Sequence, residues 1–333
     1  MTKSRSFSLA ALVLAGLFAT ILVSPAAQAV PATAVRDSTA ETTRTIPAYK
    51  SQDDPSRTIR VFQVKFSAQK GQKFYVTSTV NANQASSTPD ELLMASASII
   101  CSPASSPKRS VGATQNTLRG RTTVLHPRMV YTAPSDGQVT CNLNATGLRP
   151  RPAGGTTSNV WTVATGSFLS ASVAIPSWAK HLHSTATSRV RSPGQQWTPI
   201  KQNLTVGSTV TKFEVVADHK VTTCSSVGGS RDSTTGGRNL CEGRVSKQGT
   251  NVAVETIVRQ LNDSGGICSQ QTVSERSMHV SRDIHHGMIF SKGVAELDPS
   301  CGKRIQVLST VKVTSGADLM IHAPNEVILV IPR

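Results

Sequence analysis

Residues Ile305–Val313 read IQVLSTVKV, and this stretch decides the fold class. Ile305, Val307, Val311 and Val313 share one face of an extended chain, and Gln306, Thr310 and Lys312 share the other; Leu308 and Ser309 are the exceptions. The same period of two recurs upstream. Phe62, Val64 and Phe66 line one face before a QKGQK turn, and Phe74, Val76, Ser78 and Val80 line one after it. QVTCNLN (138–144), SFLSASVAI (167–175), TVTKFEVVA (209–217) and VAVETIVRQ (252–260) are further strand-like segments, and DLMIHAPNEVILVI closes the chain as two strands around Ala323-Pro324-Asn325. Gly, Ser, Pro and Asn fill the connections. The expectation is an all-β protein of β-sandwich domains, jelly-roll or Ig-like.

Two longer stretches suggest that one sandwich occurs twice. LHPRMVYTAPSDGQVTC (Leu125–Cys141) and IHHGMIFSKGVAELDPSC (Ile284–Cys301) each set a histidine 15 residues before a cysteine. SIICS (98–102) likewise matches GGICS (265–269), and TGSFLSASVAIP is set beside SGADLMIHAP after the second cysteine of each half. This alignment pairs Cys101 with Cys141 and Cys268 with Cys301 as equivalent disulfides, leaving Cys224 with Cys241 as a staple of a polar, glycine-rich insertion. Six cysteines with no Cys-x-x-Cys favour disulfides over thiolate metal sites in an exported chain.

Export is read from residues 1–29, where Lys3 and Arg5 precede an apolar run, Leu9–Val23, and an Ala-Gln-Ala cleavage site. That run is shorter than the roughly 20 residues a spanning helix needs. No comparable run follows it, so the mature chain is expected to be secreted, extracellular or in the cell envelope. Residues 30–55, rich in Thr, Ala, Ser and Pro, read as a disordered leader. A basic sandwich is expected over 56–178, a linker over 179–200 where the chain is basic and weakly periodic, and the second sandwich over 201–333.

The formal net charge is +16, and it is unevenly spread. Between Leu92 and Lys212 twelve basic residues face a single acid, Asp136. Such a segment carries a positive potential that attracts polyanions at long range. Lys108, Arg109, Arg119, Arg121, Arg128, Arg149 and Arg151 are the candidate anion-binding residues, and the partners that suit them are anionic polymers or cell-surface components.

Other chemistry finds less support. His126 with Met129, His285 and His286 with Met288, and His181 with His183 place pairs of metal-ligating side chains close together, but no third ligand is near, so no metal or other cofactor is expected. NDSGG (Asn262–Gly266) resembles the Asp-Ser-Gly-Gly around the nucleophile of trypsin-like proteases over four residues. The family's preceding Gly is Asn262 here, its following Pro is Ile267, and the family's Ala-Ala-His-Cys stretch is absent, so a turn is the better reading. Acids are too sparse to suggest a glycosidase pair. The sequence thus points to an exported, non-catalytic binding or envelope-associated protein. The alternatives are a hydrolase built from distant loops and an inhibitor-like module presenting the 224–241 insertion.

Overall fold

The computed structural model describes residues 33–38, 44–49, 58–84, 93–104, 112–117, 120–148, 160–225, 241 and 246–333. The expected signal segment, residues 1–29, lies outside them, as do 226–240 of the stapled insertion.

The first half contributes β1 (Thr33–Ser38), β2 (Arg44–Tyr49), β3 (Ile59–Ala68), β4 (Lys73–Gln84), β5 (Leu93–Ser102), β6 (Ala113–Thr117), β7 (Thr122–Leu125), β8 (Arg128–Thr132), β9 (Gly137–Leu148), β10 (Val160–Val163) and β11 (Phe168–Ile175). The second contributes β12 (Lys180–His183), β13 (Arg189–Arg191), β14 (Gln196–Thr205), β15 (Lys212–Thr223), β16 (Thr250–Leu261), β17 (Ile267–Val280), β18 (His286–Glu296), β19 (Arg304–Gly316), β20 (Leu319–Ile321) and β21 (Val327–Pro332).

The two halves share one topology. In the first, β3-β9-β5-β6 form one layer, and long β4 organises the other, with β7 and β8 on one side and β10 and β11 on the other, flanked by β2 and β1. In the second, β14-β19-β16-β17 form one layer, and β15 takes β18 on one side and β20 and β21 on the other, flanked by β13 and β12. Counting each broken strand once, both halves have eight strands among the described residues, in the orders 2-7-4-5 and 1-8-3-6, which is the jelly roll. The protein is therefore all-β, with two related, disulfide-stabilised sandwiches. The side-chain period explains the layers: β4 buries Phe74, Val76, Ser78, Val80 and Ala82 and leaves the residues between them half-buried. β15, starting with the same Lys-Phe pair, is buried on both faces because the first sandwich covers its outer side.

That covering is apolar. Val130, Ile175 and Ala179 meet Val216, Val327, Leu329 and Ile331, with Tyr75 and Phe290 packed against them. Burying a side chain of this size contributes about 1.5–3 kcal/mol, so the sandwiches sit on each other as sheet packs on sheet rather than swinging on a linker.

Three expectations change. The supposed leader supplies β1, paired with β11, and β2, paired with β10 and, in parallel, with the end of β9. The supposed linker Ala179–Ile200 supplies β12, β13 and the start of β14. KHLH and RVR are short, polar strands flanking a sheet, where one side of the backbone goes unpaired and the alternation signal is weak. The disulfides pair as expected, but not at equivalent places. Cys101–Cys141 crosses directly opposed residues of β5 and β9, whereas Cys268–Cys301 ties the start of β17 to the loop before β19. The counterpart of β5 is β16, so matching SIICS to GGICS slips by one strand. The final match slips too, since β11 corresponds to β21 and SGADLMIHAP contains β20.

Limited trypsin digestion of the native protein should leave the chain uncut after Lys180, Arg189 and Arg191, because all three lie in paired strands. Early cleavage there would restore the linker.

Candidate functional site

Of the seven candidate anion-binding residues, Lys108, Arg109, Arg119, Arg149 and Arg151 lie outside the described residues. Arg121 is exposed just before β7. Arg128 is not a surface residue. Its side chain is 6% exposed, its Nε lies 2.9 Å from Asp218 Oδ2, its Nη2 donates to Asp218 Oδ1 at 3.0 Å, and its Cζ lies 4.1 Å above the Phe290 ring. β8 faces the second sandwich, so this charge is spent on joining the two halves. His126 stands beside the pair, its ring 6.0 Å from that of Phe290, and burial followed by the Arg128 charge holds its pKa down. Burial pushes the Asp218 carboxyl up, while Arg128 pulls it back.

The second sandwich contains a buried polar belt that sequence reading missed. His219 projects from β15 into the core, where its Nδ1 meets Glu326 Oε2 and its Nε2 lies 2.7 Å from Ser309 Oγ. Ser309 Oγ lies 3.1 Å from Thr256 Oγ1, which in turn lies 3.1 Å from Ser291 Oγ. The Lys220 amide donates to Glu326 Oε1 at 3.1 Å. The belt thus links both layers and divides the apolar core in two, one cluster around Phe213 and Val307 and one around Val221 and Val311. Ser309, His219 and Glu326 have the connectivity of a catalytic triad, but all three are fully buried, so no substrate reaches the hydroxyl in this fold. Fully paired polar groups in a core instead specify one packing. Burial raises the Glu326 carboxyl, and His219 opposes the shift.

A histidine cluster lies further along β15. Thr222 Oγ1 is 2.6 Å from His286 Nδ1 and 2.7 Å from His322 Nε2, and the rings of His285 and His286 are 4.2 Å apart. The Asn116 side chain of the first sandwich accepts from the His286 amide at 2.7 Å. Burial, then neighbouring His285 and His322, hold His286 well below the usual imidazole range. Among the described residues no three His, Cys, Asp or Glu side chains are placed to hold a metal ion. Met129 is fully buried in the first core. His181 is half-buried, with both ring nitrogens shut away from solvent and neither bonded among the described residues, and burial followed by His183 brings its pKa down to about 3.

NDSGG is a surface turn. Ser264 Oγ donates to Asn262 Oδ1 at 2.8 Å, and Gly265 takes φ +85°. A shallow groove of about 350 Å³ lies on the outer face of β16, β17 and β19, lined by Asn251, Ser277, His279, Thr314 and Ser315 among others. His279 Nδ1 is 2.8 Å from Asn251 Oδ1 there, with no carboxylate or cysteine in the lining.

Within residues 92–212, the exposed basic side chains among the described residues are Arg121, Lys180, Arg189 and Lys201, none with a carboxylate partner there. Three acids of the second sandwich are withdrawn, whereas Asp136, Asp263, Glu275, Asp283, Glu296 and Asp298 are exposed. Asp218, Glu214 and Glu326 are all buried, Glu214 against Lys292 at 2.9 Å.

No protein family and no curated protein matches the chain. Solved structures similar to it include the N-terminal CBM22-1-CBM22-2 tandem domain of Paenibacillus barcinonensis Xyn10C, at 9% identity and TM-score 0.24, covering 92% of this chain and 100% of that one. The Bacillus thuringiensis delta-endotoxin Cry8Ea1 matches at 7% identity and TM-score 0.26, over 80% of this chain and 54% of that one. Infectious bursal virus derived T=1 particles match at 9% identity and TM-score 0.18, over 91% and 81%. Likeness this distant carries no function. Among the described residues, no helix is long and apolar enough to cross a membrane.

The depressed histidines set a pH dependence. Neutral in the fold but protonated in the unfolded chain below about pH 6.5, they remove stability as pH falls through that value toward their folded pKa. The raised carboxylates Asp218 and Glu326 act in the opposite sense, since the fold takes up their protons first. His181→Phe isolates the histidine part. Urea unfolding should show this variant gaining more stability over the natural protein at about pH 5 than at about pH 7. An equal effect at both would contradict the assignment.

Proposed function

We propose that the protein is an exported binding or envelope-associated protein, without catalysis of its own, that holds anionic polymers on a basic surface. The observation that carries this reading is the exposed basic charge of residues 92–212. Arg121, Lys180, Arg189 and Lys201 lie exposed and without a carboxylate partner among the described residues, and Asp136 is the single acid of that segment. Long-range attraction of polyanions follows from a surface segment so depleted of acid. Three disulfides and the amino-terminal signal pattern support export. The burial of the Ser309–His219–Glu326 set supports a non-catalytic role.

The protein should be retained on immobilised dextran sulfate at low salt and released as added salt screens the charges, with a Debye length of about 10 Å at 0.1 M. Arg121→Ala combined with Lys201→Ala should elute earlier. Passage without retention, or retention indifferent to salt, would overturn the proposal.

A further inference from the structure

The basic surface contains one place that is built rather than merely charged. β13 carries Arg189 and Arg191 two residues apart, hence on the same face, while Val190 between them packs against Cys224, Cys241 and Met320 on the other. Both guanidinium groups lie over the ring of Trp197 on β14, with Cζ 5.3 Å from its centroid for Arg189 and 5.6 Å for Arg191. β13 belongs to one layer of the second sandwich and β14 to the other, so the group spans the gap between the sheets at their edge. A short turn fixes the crossing. The Ser192 amide donates to Gln195 Oε1 at 3.0 Å, the Gln195 amide to the Ser192 carbonyl at 3.0 Å, and the Gly194 amide to the Val313 carbonyl at 2.8 Å.

Two like charges are thereby held against one ring. Neither arginine has a carboxylate within ion-pair distance among the described residues, and the single hydrogen bond from either guanidinium there runs from Arg191 Nη1 to the Val190 carbonyl at 3.0 Å. Burial, and then the Arg189 charge, lower the pKa of Arg191, so the pair is under electrostatic tension that an anion would relieve. The donors left over are planar and fork-shaped, the geometry that grips two oxygens of a tetrahedral anion at once.

We propose that Arg189, Arg191 and Trp197 form a subsite for the sulfate or phosphate ester groups of an anionic polysaccharide. This rests on the polyanion-binding reading above and locates its specific contact. A polysaccharide fits better than a nucleic acid, because the large apolar side chains exposed among the described residues, Ile100, Val124, Val173 and Ile267, are all aliphatic and offer bases no stacking platform.

Calorimetric titration of the whole protein with dextran sulfate and with long-chain polyphosphate tests the subsite and separates sulfate from phosphate as the preferred group. Removing both arginines (Arg189→Ala, Arg191→Ala) should weaken binding to the preferred polymer by about tenfold, well beyond the loss from Arg121→Ala with Lys201→Ala, which removes the same charge. Arg189→Lys with Arg191→Lys, which keeps charge and cover over Trp197, should fall between the natural protein and the alanine pair. Equal losses from the two charge-matched alanine pairs would overturn the subsite and leave general polyanion binding standing. Absence of binding by the natural protein would instead remove the broader reading. Tighter binding of single-stranded DNA than of either polymer would refute the polysaccharide assignment.

Discussion

The ion pair between Arg128 and Asp218 is the constraint on which the rest of the molecule depends. Two charges buried between two sandwiches cost several kcal/mol each to desolvate, and only good geometry repays that. The two-point contact, at 2.9 and 3.0 Å and capped by the Phe290 ring, supplies the geometry. It also fixes register. β8 and β15 can slide against each other over an apolar patch with little penalty, but a shift of one residue would strand both charges. Seated in this way, the first sandwich covers the outer face of β15, and that cover is why His286 and His126 are kept neutral.

The duplication shows what a jelly roll requires and what it leaves free. Strand order is shared by both halves, yet the cores differ in chemistry. Where β4 sends Val80 into an apolar interior, β15 sends His219 between Glu326 and a chain of hydroxyls. The disulfides also sit in different strands, so the cross-links and the polar belt are each particular to one half. Topology is set by alternation and by sheet-on-sheet burial, and neither demands a given residue at a given point.

Much of this was legible from residue order. Alternation found long strands such as β4 and β19, because their period is strong where one face is dry and the other wet. It missed β12 and β13, whose few polar residues carry little period, and β1 and β2, hidden in a stretch composed like a disordered tail. The repeated cysteines gave the correct pairing from an alignment one strand out of step. A better marker was the Lys-Phe that opens both β4 and β15, Lys73-Phe74 and Lys212-Phe213. For the site, net charge was readable but its placement was not. Arg128 and Arg121 look alike in sequence, and only the fold makes one a buried partner and the other a surface group. The subsite residues Arg189, Arg191 and Trp197 fell in what looked like a linker, since the crossing from one sheet to the other that brings them together leaves no periodic trace.

The account stands most directly on whether the two sandwiches are coupled through that one buried pair. A double-mutant cycle over Arg128→Met and Asp218→Leu, read by urea unfolding of the whole chain, measures it. Each single change should cost about 3–5 kcal/mol by leaving the other charge buried alone, and the double variant should recover most of that loss. Single variants within about 0.5 kcal/mol of the natural protein, or losses that simply add, would contradict it.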